Sequence, residues 1–583
     1  MAEWRIAPRA PEAYIAALHD LHPLTAQVLY ARGWTDPDEA RAFLNGATTP
    51  AEPFALGDAA RAVERILTAI GRGESIAVYA DYDCDGVTAG ALLVRTLAAL
   101  GAQVQIYIPD RFEEGYGLNV QALDRLKAQG VSLVVTVDCG ARAHREAQHA
   151  HRIGMDLIVT DHHELEGDAI PDACAVVDPK RPDCAYGFKH LAGVGVAFRL
   201  AQCLLRTARD AGMARGEVTE ASLLDLVAIG TVADVVPLVG ENRALVRAGL
   251  VRLNDKPRLG LQALIQASGL KVGSVDAMRI GFALGPRLNA AGRLESARAA
   301  YDLLMCEDPA RAAELARYLD RQNSERQSVT TAVATHAERQ AMEAQIRSAS
   351  GENVPSLLFA ASPDYNVGVI GLAAARLVEK YHRPAVIVGV GGDEARGSCR
   401  SVNGFDITRA LDECRHLLLK HGGHEAAAGF TARADALDAL RERLGAIVEQ
   451  WRPAGGWQRL IRADAEIALD QVDERAITEL QRLEPHGQGN PRPTFVVRNA
   501  VVTGARRVGR AEGENEPPHL QLRVADTRRV TWDVIAWRMG DRIGELAIGA
   551  SVDLACQLGI NEWNGERRLQ LEVQDLRRPV AGS

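Results

Sequence analysis

A chain of 583 residues has room for several domains of roughly 100–200 residues each, and a hydrophobic fraction of 47% excludes a disordered or fibrous protein. The net charge of −9 excludes a protein basic throughout, but not a nucleic-acid partner, because such binding depends on where the cations sit. Nine cysteines without a C-x-x-C pair argue against a structural zinc site and fit free thiols in a reducing compartment.

The first residues, MAEWRIAPRAPEAY, contain no apolar core of a signal peptide, and no apolar run approaches a membrane span. The expectation is a soluble, cytoplasmic protein with no membrane partner. Residues 1–52 are taken as an N-terminal extension. From Ser75 strands and helices alternate. The apolar strand candidates are SIAVYA (75–80), QVQIYIP (103–109), SLVVTV (132–137), DLIVT (156–160) and CAVV (174–177). Between them lie helical patterns at 88–101, 119–130 and 141–154. This alternation predicts an α/β fold with a parallel, doubly wound sheet covered on both faces, within a domain spanning 53–307.

From Asp308 to Ser350 there is no glycine, and the only proline is Pro309, which can occupy a first helical position. A long helical connector over 308–350 follows, with Asn323-Ser324 as its candidate break. A second α/β domain covers 351–455, with SLLFAAS, GVIGLAAARLVEKYH and AVIVGV as strand, helix and strand. PAGG (453–456) marks a boundary. Beyond it, five short alternating strands predict an OB-like β-barrel over 456–583. Its Arg506, Arg507, Arg510, Arg523, Arg528 and Arg529, with Trp532 and Trp537, offer phosphate neutralisation and base stacking.

The chemistry concentrates at strand ends. DYDCDG (81–86) places Asp81, Asp83 and Asp85 at alternate positions after the first strand. An EF-hand loop needs a preceding helix and a Glu at its twelfth position; here a strand precedes and the twelfth residue is Leu92. Asp138 follows the third strand, and Asp161-His162-His163 follows the fourth. In a parallel sheet these ends share one edge, where ligands bind. Carboxylates with imidazoles suit Mn²⁺ or Mg²⁺, and several carboxylates can bridge two ions that activate a water for in-line attack at phosphorus. The thiols Cys84 and Cys139 lie among carboxylates that disfavour a thiolate nucleophile.

DYDCDG, VDCG (137–140), Asp161-His162-His163 and GTVADVVPL (230–238) resemble the DHH phosphoesterase superfamily. GPRLNAAGRLESA (285–297), GSCRS (397–401), GGHEAAAGF (422–430) and LEPHGQGNPRPTF (483–495) resemble the RecJ single-strand-specific exonucleases over almost the whole chain. The resemblance implies that Asp81, Asp83, Asp85, Asp138, His162 and Asp234 are metal ligands or their immediate neighbours. It makes Asp161 a support for an imidazole and turns His163 toward the scissile phosphate. It assigns Arg111, Arg287, Ser398, Arg400 and His424 to substrate phosphate. The implied activity is 5′-to-3′ hydrolysis of single-stranded DNA to 5′-mononucleotides in repair and recombination, by a monomer working with a helicase and a single-strand-binding protein. Two other readings stand beside it: hydrolysis of short oligonucleotides, cyclic dinucleotides or polyphosphate, and a binding scaffold with a decayed site. One departure is Tyr365-Asn366 before GVIG, where family members often carry Trp-His.

Overall fold

The computed structural model describes residues 2–46, 51–110, 114–115, 117–213, 216–294, 296–347, 354–509, 518–526, 530–563 and 566–579. The chain divides into two compact units, one of residues 50–457 and the other of residues 1–49 with 458–583.

In the larger unit the first sheet has five parallel strands. Their order is Gln103–Tyr107, Ser75–Ala80, Val131–Val137, Asp156–Thr160, Ala175–Val177. The order reverses between Ser75–Ala80 and Val131–Val137, which opens a crevice beyond their C-terminal ends. The inner strands are buried on both faces, which accounts for their continuous apolar sequence. Each fully buried Val, Leu or Ile there contributes about 1.5–3 kcal/mol of apolar burial.

The helix after the first strand begins at Cys84, ahead of the expected residue 88. Asp83 causes the early start, because its Oδ1 accepts from Asp85 N at 2.9 Å and Gly86 N at 3.0 Å. Such a cap stabilises a helix by about 1 kcal/mol. DYDCDG is therefore a strand end joined directly to a helix N-terminus, not an open loop. The described part of 193–305 is helices joined by turns, without a strand, and includes Gly193–Asp210, Leu224–Ala233 and Gly285–Leu294.

The connecting helix Pro309–Arg347 runs without a break through Asn323-Ser324. Ser324 Oγ donates to Asp320 O, and the Thr330 and Thr331 hydroxyls donate to Arg326 O and Gln327 O. Local polar side chains are thus satisfied within the helix. Its first half packs Leu315, Ala316 and Leu319 into the core of the parallel-sheet region. Its second half packs Val333, Ala334, Ala337 and Ala341 against the second sheet region.

The second sheet is mixed, in the order Leu418–His424, Ala427–Arg433, Glu394–Arg400, Ala385–Gly391, Leu358–Ser362. Only the last two strands are parallel.

In the smaller unit, Phe495–Val508, His519–Ala525, Thr531–Ala536, Glu566–Arg577 and Ser551–Trp563 form a sheet that closes by pairing the last strand with the first. This five-stranded closure is the expected barrel. Residues taken as an N-terminal extension are built into this unit. Glu3–Ile6 pairs in parallel with Leu460–Ala463, and Leu18, Val28, Leu29 and Leu44 share one core with Phe495 and Leu522.

Candidate metal centre and phosphate pocket

Strand ends deliver the acids to one edge, as the strand pattern requires. Asp138 carries a left-handed backbone, φ 62°, directly after Val131–Val137. Val235, directly after Asp234, also has positive φ, 61°, which a β-branched residue adopts only under strain. Gly193 packs against Asp138 so closely that a Cβ there would lie 2.6 Å from Asp138 Oδ1.

The carboxylates and imidazoles fall into three overlapping groups. These are Asp138, Asp161, His162 and His163; Asp85, His162 and Asp234; and Asp81, Asp83 and Asp138. In each group the ligand atoms lie within 4.8 Å of one another. Asp138 and His162 each belong to two groups, so the three groups form one continuous cluster at the edge. His162 Nε2 stands 3.1 Å from Asp138 Oδ1, 3.6 Å from Asp234 Oδ2 and 3.9 Å from Asp85 Oδ2. The buried atoms Asp138 Oδ1, His162 Nε2 and Asp234 Oδ2 make no hydrogen bond. Acceptors packed this way without donors have the chemistry of a divalent-cation site, with oxygen and imidazole donors as Mn²⁺ or Mg²⁺ takes them.

The electrostatics agree. Burial, followed by Asp85, Asp83, Asp81 and Asp234, raises the Asp138 carboxyl well above the usual range. Burial and Asp83 raise Asp85, and burial with Asp85 and Asp83 raises Asp234. Burial and then the charge of His163 lower His162 to about 4, leaving a neutral imidazole suited to ligation.

Asp161 differs. Its Oδ1 accepts from His162 N at 2.7 Å and pairs with His163 Nδ1 at 2.8 Å, while Oδ2 accepts from Ala141 N at 2.7 Å. Burial works against its ionisation, but the His163 hydrogen bond and charge prevail and hold it at about 2. Its oxygens are thus spent on orienting the histidine run. Asp85 accepts one backbone bond on each oxygen, from Gly193 N at 2.6 Å and Val194 N at 2.9 Å, which leaves each oxygen a further lone pair.

Two contributors carry no acidic-motif signature. Asn289 Oδ1 accepts from Cys84 N at 2.7 Å and braces the acidic turn. Asp178 follows Ala175–Val177 at the same edge, fully buried, with Oδ1 accepting from Lys180 N. Burial and the charge of Asp161 push it up to about 7. The strand-end rule that located Asp138 and Asp161 also locates Asp178 in VVDPK.

On the second sheet, Ser398 and Arg400 share one face of Glu394–Arg400. Arg400 lies beside Ala427, which pairs with His424, so His424 continues the same row. Opposite Ser398 stand Gly429 and Gly422, which leave that row without side chains. Arg400 is half-buried, and its Nη1 donates to Ser398 Oγ and Cys399 O, not to a carboxylate. A Cβ on Gly371, in the first turn of Ile370–Tyr381, would lie 2.9 Å from Ser398 Oγ and 3.0 Å from Arg400 Nη2. A guanidinium, a hydroxyl and a helix N-terminus converge there, which suits a phosphate.

Arg287 is placed otherwise. It is paired to Asp320 at 2.9 Å and donates to Ala283 O, so its guanidinium is held by protein. Arg111 lies outside the described residues, as do Arg510, Arg528 and Arg529. Asn366 Oδ1 accepts from Gly368 N at 2.8 Å, giving the departure from Trp-His a local turn function. In the barrel, Trp532 is core while Trp537 is 52% exposed. Arg506, Arg523 and Arg568 line a barrel groove of about 770 Å³.

The fold and its acidic edge define a phosphoesterase of the DHH class, and three family models match in chain order. These are the DHH family N-terminal domain at residues 75–231, the DHHA1 domain at 353–450 and the RecJ OB domain at 463–575. The single-stranded-DNA-specific exonuclease RecJ of Bacillus subtilis is 38% identical over 98% of this chain and 70% of its own length. The Escherichia coli protein of the same name is 34% identical over 96% of each. The crystal structure of Thermus thermophilus RecJ in complex with Mn²⁺ superposes with a TM-score of 0.81 at 33% identity, covering 99% of this chain and 80% of that one. The chain belongs to the RecJ family.

Proposed function

We propose that this chain is a metal-dependent exonuclease that hydrolyses single-stranded DNA from its 5′ end to 5′-mononucleotides. The observation that carries the reading is the convergence of Asp138 Oδ1, His162 Nε2 and Asp234 Oδ2, buried and without hydrogen bonds, at one sheet edge. Relatives named as single-stranded-DNA-specific exonucleases, and RecJ crystal structures with Mn²⁺ and with Mg²⁺, support it.

Asp81, Asp83, Asp85, Asp138, His162 and Asp234 would hold two Mn²⁺ or Mg²⁺ ions. Bound there, the ions supply a water of lowered pKa and Lewis-acid activation of the phosphodiester. Asp138, which belongs to two of the three groups, would serve both positions, and His162, with one acceptor nitrogen, would serve one of them. Asp161 fixes the histidine run, and His163, more exposed than His162, faces the scissile phosphate. Ser398, Arg400 and His424 hold the terminal 5′ phosphate, which sets polarity by fixing one strand end. Arg287 joins them only if its pair with Asp320 opens.

In this reading residues 53–307 form the catalytic domain, 351–455 the phosphate-holding domain, and the barrel an accessory clamp. Arg506, Arg523 and exposed Trp537 offer that clamp cations and a stacking face. Family membership supports the further reading of a cytoplasmic monomer in repair and recombination, working with a helicase and a single-strand-binding protein. The described residues contain no helix long and apolar enough to cross a membrane. The test is digestion of 5′-labelled and 3′-labelled single strands with Mn²⁺. The 5′ label should leave first as a mononucleotide; early loss of only the 3′ label would refute the polarity.

A further inference from the structure

The connecting helix Pro309–Arg347 packs its two halves into different cores, and so joins the metal edge to the candidate phosphate pocket from a distance. The helix Gly285–Leu294 joins them directly. Three hydrogen bonds along its length hold it. Near its start Arg287 Nε donates to Asp320 Oδ1 at 2.9 Å, which ties it to the connecting helix. In its middle Asn289 Oδ1 accepts from Cys84 N at 2.7 Å, which ties it to the acidic turn. Near its end Arg293 Nη1 donates to Gly368 O at 3.3 Å, which ties it to the segment leading into Ile370–Tyr381.

The packing at that end is closer than side chains permit. A Cβ on Gly292 would lie 2.8 Å from Tyr82 O, between Asp81 and Asp83 in sequence. A Cβ on Gly368 would lie 2.5 Å from Arg293 O, and one on Gly371 would lie 2.9 Å from Ser398 Oγ. Gly292, Gly368 and Gly371 all lie outside the left-handed region, so close approach, not backbone conformation, is what requires glycine there. At Gly292 and Gly368 the neighbour is backbone, which has no rotamer with which to yield. Gly292 and Arg293 are consecutive, with α-carbons about 3.8 Å apart, so a single helix end reaches from the acidic turn to Gly368. Gly368 N donates to Asn366 Oδ1 at 2.8 Å, which keeps its own segment in a turn. The acidic turn, the helix end, the Gly368–Gly371 segment and the Ser398–Arg400 pair thus stand in unbroken contact.

We propose that the end of Gly285–Leu294 is a rigid spacer that sets the span from the metal edge to the terminal-phosphate pocket, with Gly292 and Gly368 as its positioning residues. This rests on the reading of Ser398 and Arg400 as holders of the 5′ phosphate. With that phosphate seated, the fixed span brings the first phosphodiester to the acidic edge. A strand without a terminal phosphate is not anchored and gains nothing from the span. A methyl group on Gly368 needs a carbon–oxygen separation of roughly 3.5 Å, so it forces the two backbones apart by about 1 Å. A misplacement of about that size costs on the order of 100-fold in rate.

The test measures kcat and KM of the full chain with Mn²⁺ on 5′-phosphorylated and 5′-hydroxyl strands of one sequence. Gly368→Ala and Gly292→Ala should each lower kcat on the phosphorylated strand about ten- to a hundred-fold. For Gly368→Ala, KM on that strand, the rate on the hydroxyl strand and the affinity for Mn²⁺ should stay at wild-type values. Gly445→Ala, on Leu437–Trp451 where a Cβ meets nothing, is the control and should cut both strands normally. Equal losses on the two strands, or a phosphate advantage as large as in wild type, would overturn the proposal. A second measurement needs only the wild-type chain. The first nucleotide of a 5′-phosphorylated strand is replaced by a propanediol linker of the same backbone length, or by a longer glycol linker. The short linker should keep the phosphate advantage and the long one should lose it; equal cutting of both would also overturn the spacer. A wild-type chain with no phosphate advantage at all would remove the phosphate-pocket reading and the spacer with it, whereas an advantage that the variants retain removes the spacer alone.

Discussion

His162 Nε2 and Asp138 Oδ1 stand 3.1 Å apart, both buried, and no hydrogen bond joins them. Two polar atoms left in this way cost stability that the fold must recover elsewhere. The arrangement makes sense if a cation completes both, and it sets the direction of several measurable effects.

Asp138→Asn removes a carboxylate crowded by Asp85, Asp83, Asp81 and Asp234 while keeping a residue type that tolerates positive φ. In EDTA the variant should be more stable than wild type by on the order of 1 kcal/mol, read by urea denaturation. Equal or lower stability would mean that the cluster is not electrostatically strained.

The same crowding fixes a pH dependence. Asp85, Asp138 and Asp234 have folded-state values raised above those of the unfolded chain, and Asp178 is pushed up to about 7. The folded state therefore binds more protons than the unfolded state from about pH 4 upward, and stability contributed by the protonated groups is lost as pH rises through their folded values. Metal-free protein should melt at progressively lower temperature from pH 5 through pH 7 and beyond. Mn²⁺ competes with those protons, so its stabilising increment should grow over the same range. A melting temperature that climbs with pH in EDTA would contradict this assignment.

Gly371→Ala inserts a methyl group 2.9 Å from Ser398 Oγ, closer than real contacts allow. The pocket should widen or lose its Ser398–Arg400 geometry. We expect KM for a 5′-phosphorylated strand to rise about ten-fold, about 1.4 kcal/mol, with a smaller change in kcat. Steady-state kinetics on 5′-phosphorylated and 5′-hydroxyl strands check it; the penalty should be confined to the phosphorylated one.

Residues 2–46 should be indispensable to the barrel. Leu18, Val28, Leu29 and Leu44 lie in its core, and their loss exposes apolar surface worth on the order of 10 kcal/mol, comparable with the whole stability of a domain. A fragment of residues 458–583 should be insoluble or molten by near-ultraviolet circular dichroism, and adding residues 1–49 should restore it.

Much of this was legible in the sequence because strand ends are legible. Apolar runs followed by Asp81, Asp138 and Asp161 place those acids on one edge of any parallel sheet. Asp178 obeys the same rule but sits after a three-residue strand and beside no histidine, so its local sequence carries a weaker signal. Helical placement was harder. Asp83 reads as one of three equivalent acids, and only the backbone shows it capping a helix while Asp85 holds the N-terminus of Gly193–Asp210. The partnership between residues 2–46 and the barrel is also invisible locally, because pairing of Glu3–Ile6 with Leu460–Ala463 spans more than 450 positions. Arg287 carried a motif but not its context, since its pair with Asp320 depends on how two helices pack.

Asp138 is the residue placed to serve both candidate cation positions. The most direct measurement is manganese stoichiometry by calorimetry on wild type and Asp138→Asn, with cleavage of single-stranded DNA followed in the same samples. Two ions should bind per wild-type chain, with weakened binding at both positions in the variant and a loss of cleavage of about 1,000-fold or more. Two ions bound with undiminished affinity by Asp138→Asn, or cleavage retained at the wild-type rate, would contradict it.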